Sequence, residues 1–388
     1  MAKRKVKNFK LIYLLFFFMM IGDTLTAYIQ SSYLNQYVSL STISLIIAIA
    51  ALSVLSIAVF YHRLIIKLTN YRLTIILFII AILTSYFLYS SSFPTVIIIA
   101  FIIRYICFMF LATSFDVWLE NISDDRSTGS IRTRFLTIGN LAWLISPLIM
   151  SWIIGANNNY SIMYLINSLL LMIALIIILY KRRDLDQPAY YIKHNLRQAM
   201  TALWKNKNVL TIWTSSILLQ FFYFIVSIYI PIYLHQTIGL SWTSLGIIFT
   251  VMLLPFVIFQ IPAGLIADKY LGEKEMLMAG VFIMALAMAL LFFITTDSPI
   301  AWGAILFFSR IGAAIAEAMQ ESYFYKQIDI QDIDLINIFR RSRSLGWLLG
   351  AGISFVLLIF MPLPYIFMIL SSLLLLHAFK LHHLVDTK

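Results

Sequence analysis

Tyr33-Leu34-Asn35-Gln36 returns as Tyr233-Leu234-His235-Gln236, and Leu40-Ser41 with Ser44-Leu45 returns as Leu240-Ser241 with Ser244-Leu245, each at an offset of 200 residues. Apolar segments match one another by chance, but the Gln and Ser positions are polar residues at fixed distances. The correspondence extends outward from these tetrapeptides. Pro94 answers Pro299 and Arg104 answers Arg310, the offset drifting by a few residues as loops change length. The chain is therefore read as two copies of one unit.

Each copy is built for lipid. The chain has 388 residues, of which 62% are hydrophobic and 12% charged, with a mean hydropathy of +0.92; no soluble domain needs so much apolar surface. A helix crosses a bilayer with about 20 apolar residues. Twelve such runs can be marked, at 11-30, 42-61, 73-91, 95-117, 135-154, 161-180, 210-232, 243-266, 276-295, 300-320, 345-361 and 364-380. The fold class expected is thus all-α integral membrane, with twelve transmembrane helices in two pseudo-symmetric six-helix bundles. Residues 1-180 form the N-terminal bundle, 181-209 a linker and 210-388 the C-terminal bundle. Six spans per copy preserve orientation, so the repeat is parallel, about an axis along the membrane normal.

The 28 lysines and arginines give a net charge of +11. All except Arg104 and Arg310 lie at the chain ends or between spans 2 and 3, 4 and 5, 6 and 7, 8 and 9, or 10 and 11. Lys3, Arg4, Lys5, Lys7 and Lys10 precede the first span. Arg63, Lys67 and Arg72 follow the second, and Arg126, Arg132 and Arg134 the fourth. The opposite loops have none. The positive-inside rule then puts both termini in the cytoplasm and explains the excess charge without nucleic acid. The basic start followed by Leu11 to Ile21 superficially fits a signal peptide. However, Gly22-Asp23-Thr24 interrupts it and no small-residue cleavage site follows, so it reads as an uncleaved first helix. In the linker, Ile192, Leu196, Ala199, Met200 and Leu203 recur at helical spacing among Lys193, Arg197, Lys205 and Lys207. This suits an amphipathic helix at the cytoplasmic surface, the alternative being an ordinary charged connector.

Between spans 8 and 9 the chain reads Gly264-Leu265-Ile266-Ala267-Asp268-Lys269-Tyr270-Leu271-Gly272-Glu273-Lys274. This resembles the cytoplasmic loop signature of the major facilitator superfamily, Gly-x-x-x-Asp-Arg/Lys followed by Gly and a basic residue, and the twelve-span layout extends the resemblance over the chain. Gly264, Asp268, Lys269, Gly272 and Lys274 are then expected to form a gating loop. Its small residues would allow close helix approach, and Asp268 would cap the next helix or pair with a neighbouring base. The loop between spans 2 and 3 departs from the pattern, with Leu68 where the Asp would map.

The resemblance implies that spans 1, 4, 7 and 10 line a central cavity, and three of them carry charge: Asp23 on span 1, Arg104 on span 4, Arg310 and Glu317 on span 10. At 1.5 Å per residue, Asp23 is about 18 Å from one helix start and Arg104 about 14 Å from the other. In a core of about 30 Å these depths nearly coincide, so an ion pair is geometrically allowed. The Arg104–Ala112 segment resembles the span-4 Arg motif of proton-coupled members, with Phe108 in place of a Gly. Asp23 and Arg104 are accordingly expected to couple protons; a fixed brace and direct substrate contact are the other two readings. Span 7 presents Gln220, Tyr223, Phe224, Ser227 and Pro231 at helical spacing, either as an aromatic and polar wall for an amphipathic ligand or as plain packing. With Arg310 and Glu317, four of these (Gln220, Tyr223, Phe224 and Ser227) are the expected substrate-binding residues. Gly346-x-x-x-Gly350 on span 11 reads as helix packing.

No phosphate-binding Gly-x-x-x-x-Gly-Lys-Ser/Thr, no nucleophile–base constellation and no intramembrane histidine cluster is present. The single cysteine, Cys107, lies in an apolar run and excludes a disulfide framework. Neither enzyme activity, cofactor, metal nor nucleic-acid partner is expected. The partners expected are a small-molecule substrate, protons or another coupling ion, and lipid, for a monomer in the cell membrane. The function implied is proton-coupled efflux of amphipathic compounds by alternating access. Symport or exchange of a small organic anion bound by the intramembrane arginines is the alternative, and a non-transporting receptor on a transporter fold a third.

Overall fold

In a lipid core every backbone N–H and C=O must find its partner within the protein, which leaves the helix as the self-sufficient solution for an apolar segment. The computed structural model describes residues 9–122, 128–155, 158–185, 196–328 and 333–385, and no strand occurs among them. Among the described residues twelve helices are long and apolar enough to cross a membrane. They are Phe9–Ala27, Leu40–Tyr61, Asn70–Ser90, Pro94–Leu119, Arg134–Ile154, Ser161–Tyr180, Lys207–Thr237, Trp242–Leu271, Glu273–Phe293, Pro299–Gln327, Ile338–Phe360 and Pro364–Leu381, numbered here spans 1 to 12. The chain is an all-α, twelve-span, multi-pass membrane protein.

Packing divides the chain into two units, one comprising Met1–Ser39 and Ile49–Ile192, the other Leu40–Ala48 and Lys193–Lys388. The second span is thus shared, its first two turns belonging to the second unit. Within the first unit, span 3 packs chiefly on spans 4 and 6, and span 1 on spans 5 and 6. Within the second, span 9 packs on spans 10 and 12, and span 7 on span 11. The internal contact scheme therefore repeats along with the sequence.

Both cores use aromatic contacts, and the second adds close glycine crossings. In the first unit Phe16 stacks on Phe135, with ring centroids 3.7 Å apart, and meets Phe115 edge-on at 5.6 Å. Such offset and edge contacts hold aromatic cores together. The second unit also uses glycine. A Cβ on Gly280 would lie 2.8 Å from the Gly312 carbonyl oxygen, and one on Gly312 would lie 2.5 Å from the Gly280 oxygen, so spans 9 and 10 cross backbone to backbone. Gly346 and Gly350 do the same for span 11 against Ile217, Gln220, Phe221 and Phe224 of span 7.

Span 8 is not one helix. It is helical over Trp242–Val251, Leu254–Ile258 and Gln260–Ile266, then widens into a π-helical turn over Ala267–Leu271. Pro255 and Pro262 account for the breaks, since each lacks an N–H and crowds the carbonyl four residues earlier. Its repeat counterpart, span 2, belongs to one uninterrupted helix, Leu40–Leu68. The linker contributes a helix over Leu196–Lys205 that packs on spans 7 and 11, burying Leu203 and leaving Trp204 63% exposed. Ile192, Lys193, Lys3, Arg4, Lys5, Lys7, Arg126 and Lys388 lie outside the described residues.

Candidate functional site

In the first unit, Asp23 sits in the last quarter of span 1, where its neighbour Gly22 leaves space for Asn167 of span 6. A Cβ on Gly22 would come within 3.1 Å of the Asn167 Oδ1. The next polar residue, Thr24, ties the same turn to span 5: its hydroxyl lies 2.5 Å from that of Ser146, beside Pro147. Span 1 is thus fixed on two sides, and its Asp23 carboxylate faces span 4. Arg104 donates from Nη2 to Asp23 Oδ1 at 3.2 Å and to Thr26 Oγ1 at 2.8 Å. The Thr26 hydroxyl in turn donates to the Asp23 carbonyl at 2.8 Å. The guanidinium lies 4.5 Å from the Phe108 ring centroid and 5.5 Å from that of Tyr164. Its side chain is 4% exposed and that of Asp23 34%. One charge is enclosed and the other reachable. Thr26 and Tyr164 escaped the sequence reading. Thr26, one turn beyond Asp23 on the same face, is the one that spacing alone could have revealed.

In the second unit, Arg310 and Glu317 do not meet each other; they meet Tyr223. Arg310 is 3% exposed. Its guanidinium carbon lies 5.3, 5.1 and 5.9 Å from the ring centroids of Phe222, Tyr223 and Phe256. Among the described residues it has no carboxylate partner, and its Nε has no acceptor. The Tyr223 hydroxyl donates to Glu317 Oε2 at 3.3 Å, and the Gln260 amide donates to the same oxygen at 3.4 Å. Phe256 and Gln260 come from the broken stretch of span 8. A lone Gln between Phe259 and Ile261 in a lipid-spanning segment was the signal for it.

The remaining span-7 candidates face elsewhere. Gln220 and Phe224 pack on Gly346 and Gly350 of span 11, and Phe224 meets Trp347 edge-on at 5.5 Å. Ser227 is buried. Of the expected wall, Tyr223 alone joins Arg310 and Glu317, because residues 223 and 224 point about 100° apart around the helix.

The loop between spans 8 and 9 is organised by a residue the motif does not include. Gly264 has no neighbour within 4 Å of a built Cβ, so its small size serves no close helix approach; that crossing lies instead at Gly280 and Gly312. Asp268 sits in the π-turn, exposed, and does not cap the following helix. That helix starts after Gly272, whose φ of +96° favours glycine, with no side-chain cap bond. Asp268 approaches Lys326 of span 10 at 3.8 Å. Glu273 is 2% exposed, forms a close ion pair with Lys326 and accepts the Ser322 hydroxyl at 3.1 Å. Lys269 is exposed, and Lys274 is half-buried.

A contrast follows. Lys326→Met strands a buried carboxylate and is expected to cost about 2 kcal/mol, less than for a fully enclosed pair because the ammonium is half exposed. Asp268→Asn should stay within about 0.5 kcal/mol. Thermal unfolding of the purified variants measures both, and a larger loss for Asp268→Asn would reverse the assignment.

A profile of the Major Facilitator Superfamily matches residues 12–329. No curated protein sequence matches the chain. Among solved structures, the nucleoside transporter NupG superposes with a TM-score of 0.73 at 16% identity, covering 98% of this chain and 100% of that one. A peptide transporter, POT, crystallised with sulfate, superposes with a TM-score of 0.75 at 10% identity, covering 97% of this chain and 94% of that one. At these identities the structures speak for the fold, and the profile match over most of the length speaks for descent: the chain belongs to the Major Facilitator Superfamily.

Proposed function

We propose that this protein is a proton-coupled secondary transporter that moves amphipathic small molecules across the cytoplasmic membrane by alternating access, with the basic loops and both termini in the cytoplasm. The observation that carries the reading is the 3.2 Å contact between Asp23 and Arg104 within the membrane-spanning region. An intramembrane charge pair is retained against its desolvation cost where it has work to do. Proton arrival at Asp23 neutralises the carboxylate and releases its hold on Arg104, which keeps Thr26 and the Phe108 and Tyr164 rings as partners. Proton departure restores the pair. Each state favours a different arrangement of spans 1 and 4, which is the differential energy that a coupled cycle needs.

The substrate side is assigned to the second unit, where Arg310, Tyr223, Glu317 and Gln260 put polar groups against aromatic rings, the composition of a pocket for a partly apolar ligand. Gln220 and Phe224 pack instead on Gly346 and Gly350 of span 11. The outward direction rests on the resemblance of the chain to efflux-type members and on the aromatic character of the site. Symport or exchange of an organic anion is the second reading, favoured by Arg310 having no ion-pair partner among the described residues.

Proteoliposomes loaded with the pH indicator pyranine test the proposal. Addition of aromatic amphiphiles to one face is expected to drive proton movement in the wild type and none in empty vesicles. Absence of proton movement with every compound, under either direction of gradient, removes the coupled-transport reading.

A further inference from the structure

The two halves treat equivalent arginines in opposite ways. Arg104 has a carboxylate, Asp23, supplied from span 1. Position 223 is the equivalent of Asp23 in the repeat, and it holds a tyrosine. Arg310 therefore lacks the anion that its counterpart has, and receives three aromatic rings instead. Aromatic faces balance part of a cation's charge, but they do not occupy the planar fork of N–H donors, which matches a carboxylate two bonds at a time. The Nε of Arg310 has no acceptor among the described residues, although the residue is 3% exposed. The nearest acid, Glu317, is already engaged by Tyr223 and Gln260.

We propose that Arg310 is the anchor for the carboxylate of an aromatic monocarboxylate ligand, whose ring takes its place among Phe222, Tyr223 and Phe256. The inference rests on the assignment of the substrate side to the second unit. It commits to a monoanion for an electrostatic reason. One guanidinium balances one negative charge, whereas a phosphate monoester carries about −1.5 to −2 and would bring surplus charge towards Glu317. Glu317 thereby acts as a specificity residue: it is the like charge that a second negative group would have to face. Tyr223 joins the two ends, its ring under Arg310 and its hydroxyl on Glu317.

The test is equilibrium binding of radiolabelled benzoate to the full chain in lipid nanodiscs without any gradient, with benzamide and phenyl phosphate as neutral and dianionic competitors. Wild type is expected to prefer benzoate over each by at least about tenfold, the scale of one charge-assisted bidentate contact. Arg310→Gln should remove the preference over benzamide and Arg310→Lys keep part of it. Glu317→Gln should narrow the gap between benzoate and phenyl phosphate. Phe256→Ala, which leaves the charges untouched, should weaken benzoate severalfold while keeping the carboxylate preference; it serves if Arg310→Gln does not fold. Equal affinity for benzoate and benzamide, no benzoate binding, or a preference that survives Arg310→Gln overturns the proposal. A protein that binds benzoate in this pattern yet drives no proton flux keeps the ligand class and loses the transport reading; flux with other amphiphiles but no benzoate binding does the reverse.

Discussion

Asp23→Asn is expected to abolish gradient-driven transport while leaving exchange at equal concentrations on the two sides of the membrane. It removes the proton-binding group and leaves Arg104, 4% exposed, without a countercharge and with only neutral acceptors, the Thr26 hydroxyl and the introduced amide oxygen. Breaking an enclosed pair from one side costs about 3–5 kcal/mol, and the partial exposure of Asp23 lowers this to about 2 kcal/mol. The variant should therefore unfold at a lower temperature than wild type yet still fold. Arg104→Gln should be comparably destabilised. The double variant, with an Asn and a Gln able to hydrogen-bond, should recover about 1–2 kcal/mol relative to the sum of the single changes. The double variant must still lack coupling, and that separates the two roles of the pair. A static brace predicts that stability and transport return together; a proton carrier predicts that stability returns alone. Counterflow and gradient-driven uptake in the same proteoliposomes decide between them.

The second large effect lies away from any charge. Gly312→Val would set a branched side chain where even one carbon lies 2.5 Å from the Gly280 carbonyl oxygen and 2.9 Å from the Ile283 Cβ. The oxygen belongs to a helix backbone and cannot swing aside, so spans 9 and 10 must separate. Overpacking of this kind costs about 1–3 kcal/mol in a yielding core. Here it also forfeits the contact that small residues create between membrane helices, and failure to accumulate folded protein is expected. Gly280→Val should behave alike. Gly264→Ala is the control: nothing lies within 4 Å of its Cβ, and alanine favours the helix by about 0.5–1 kcal/mol. Its melting temperature should equal or exceed that of wild type. Monodisperse yield and melting temperature in detergent measure all three.

Span count and family were legible because they depend on quantities that lipid enforces, the length of an apolar run and the sparing use of charge. The Asp23–Arg104 contact was legible for a related reason. Two charges on two spans at matching depth have few other partners. What stayed hidden depends on rotation about helix axes. Gln220 and Phe224 share a helical face with plausible ligand contacts, and nothing in their spacing says that Gly346 and Gly350 pack against that face. The loop between spans 8 and 9 misled for a different reason. Asp268 and Glu273 are both acidic and five residues apart; Gly272, turning at positive φ, tucks the second inward and leaves the first in the open. The breaks in span 8 were written in Pro255 and Pro262, yet hydropathy averages over prolines and treats the segment as continuous.

That interrupted span has a mechanical consequence. A helix resists bending through its ladder of hydrogen bonds, and each proline removes a rung. Span 8 thus behaves as short rods joined by compliant links, one preceding Phe256 and the other falling between Phe256 and Gln260, the residues it contributes. Span 10, which carries Arg310 and Glu317, is unbroken from Pro299 to Gln327. The site accordingly has one stiff side and one soft side. Ligands of different girth would be accommodated by flexure of the soft side, with the charges on the stiff side held at constant separation.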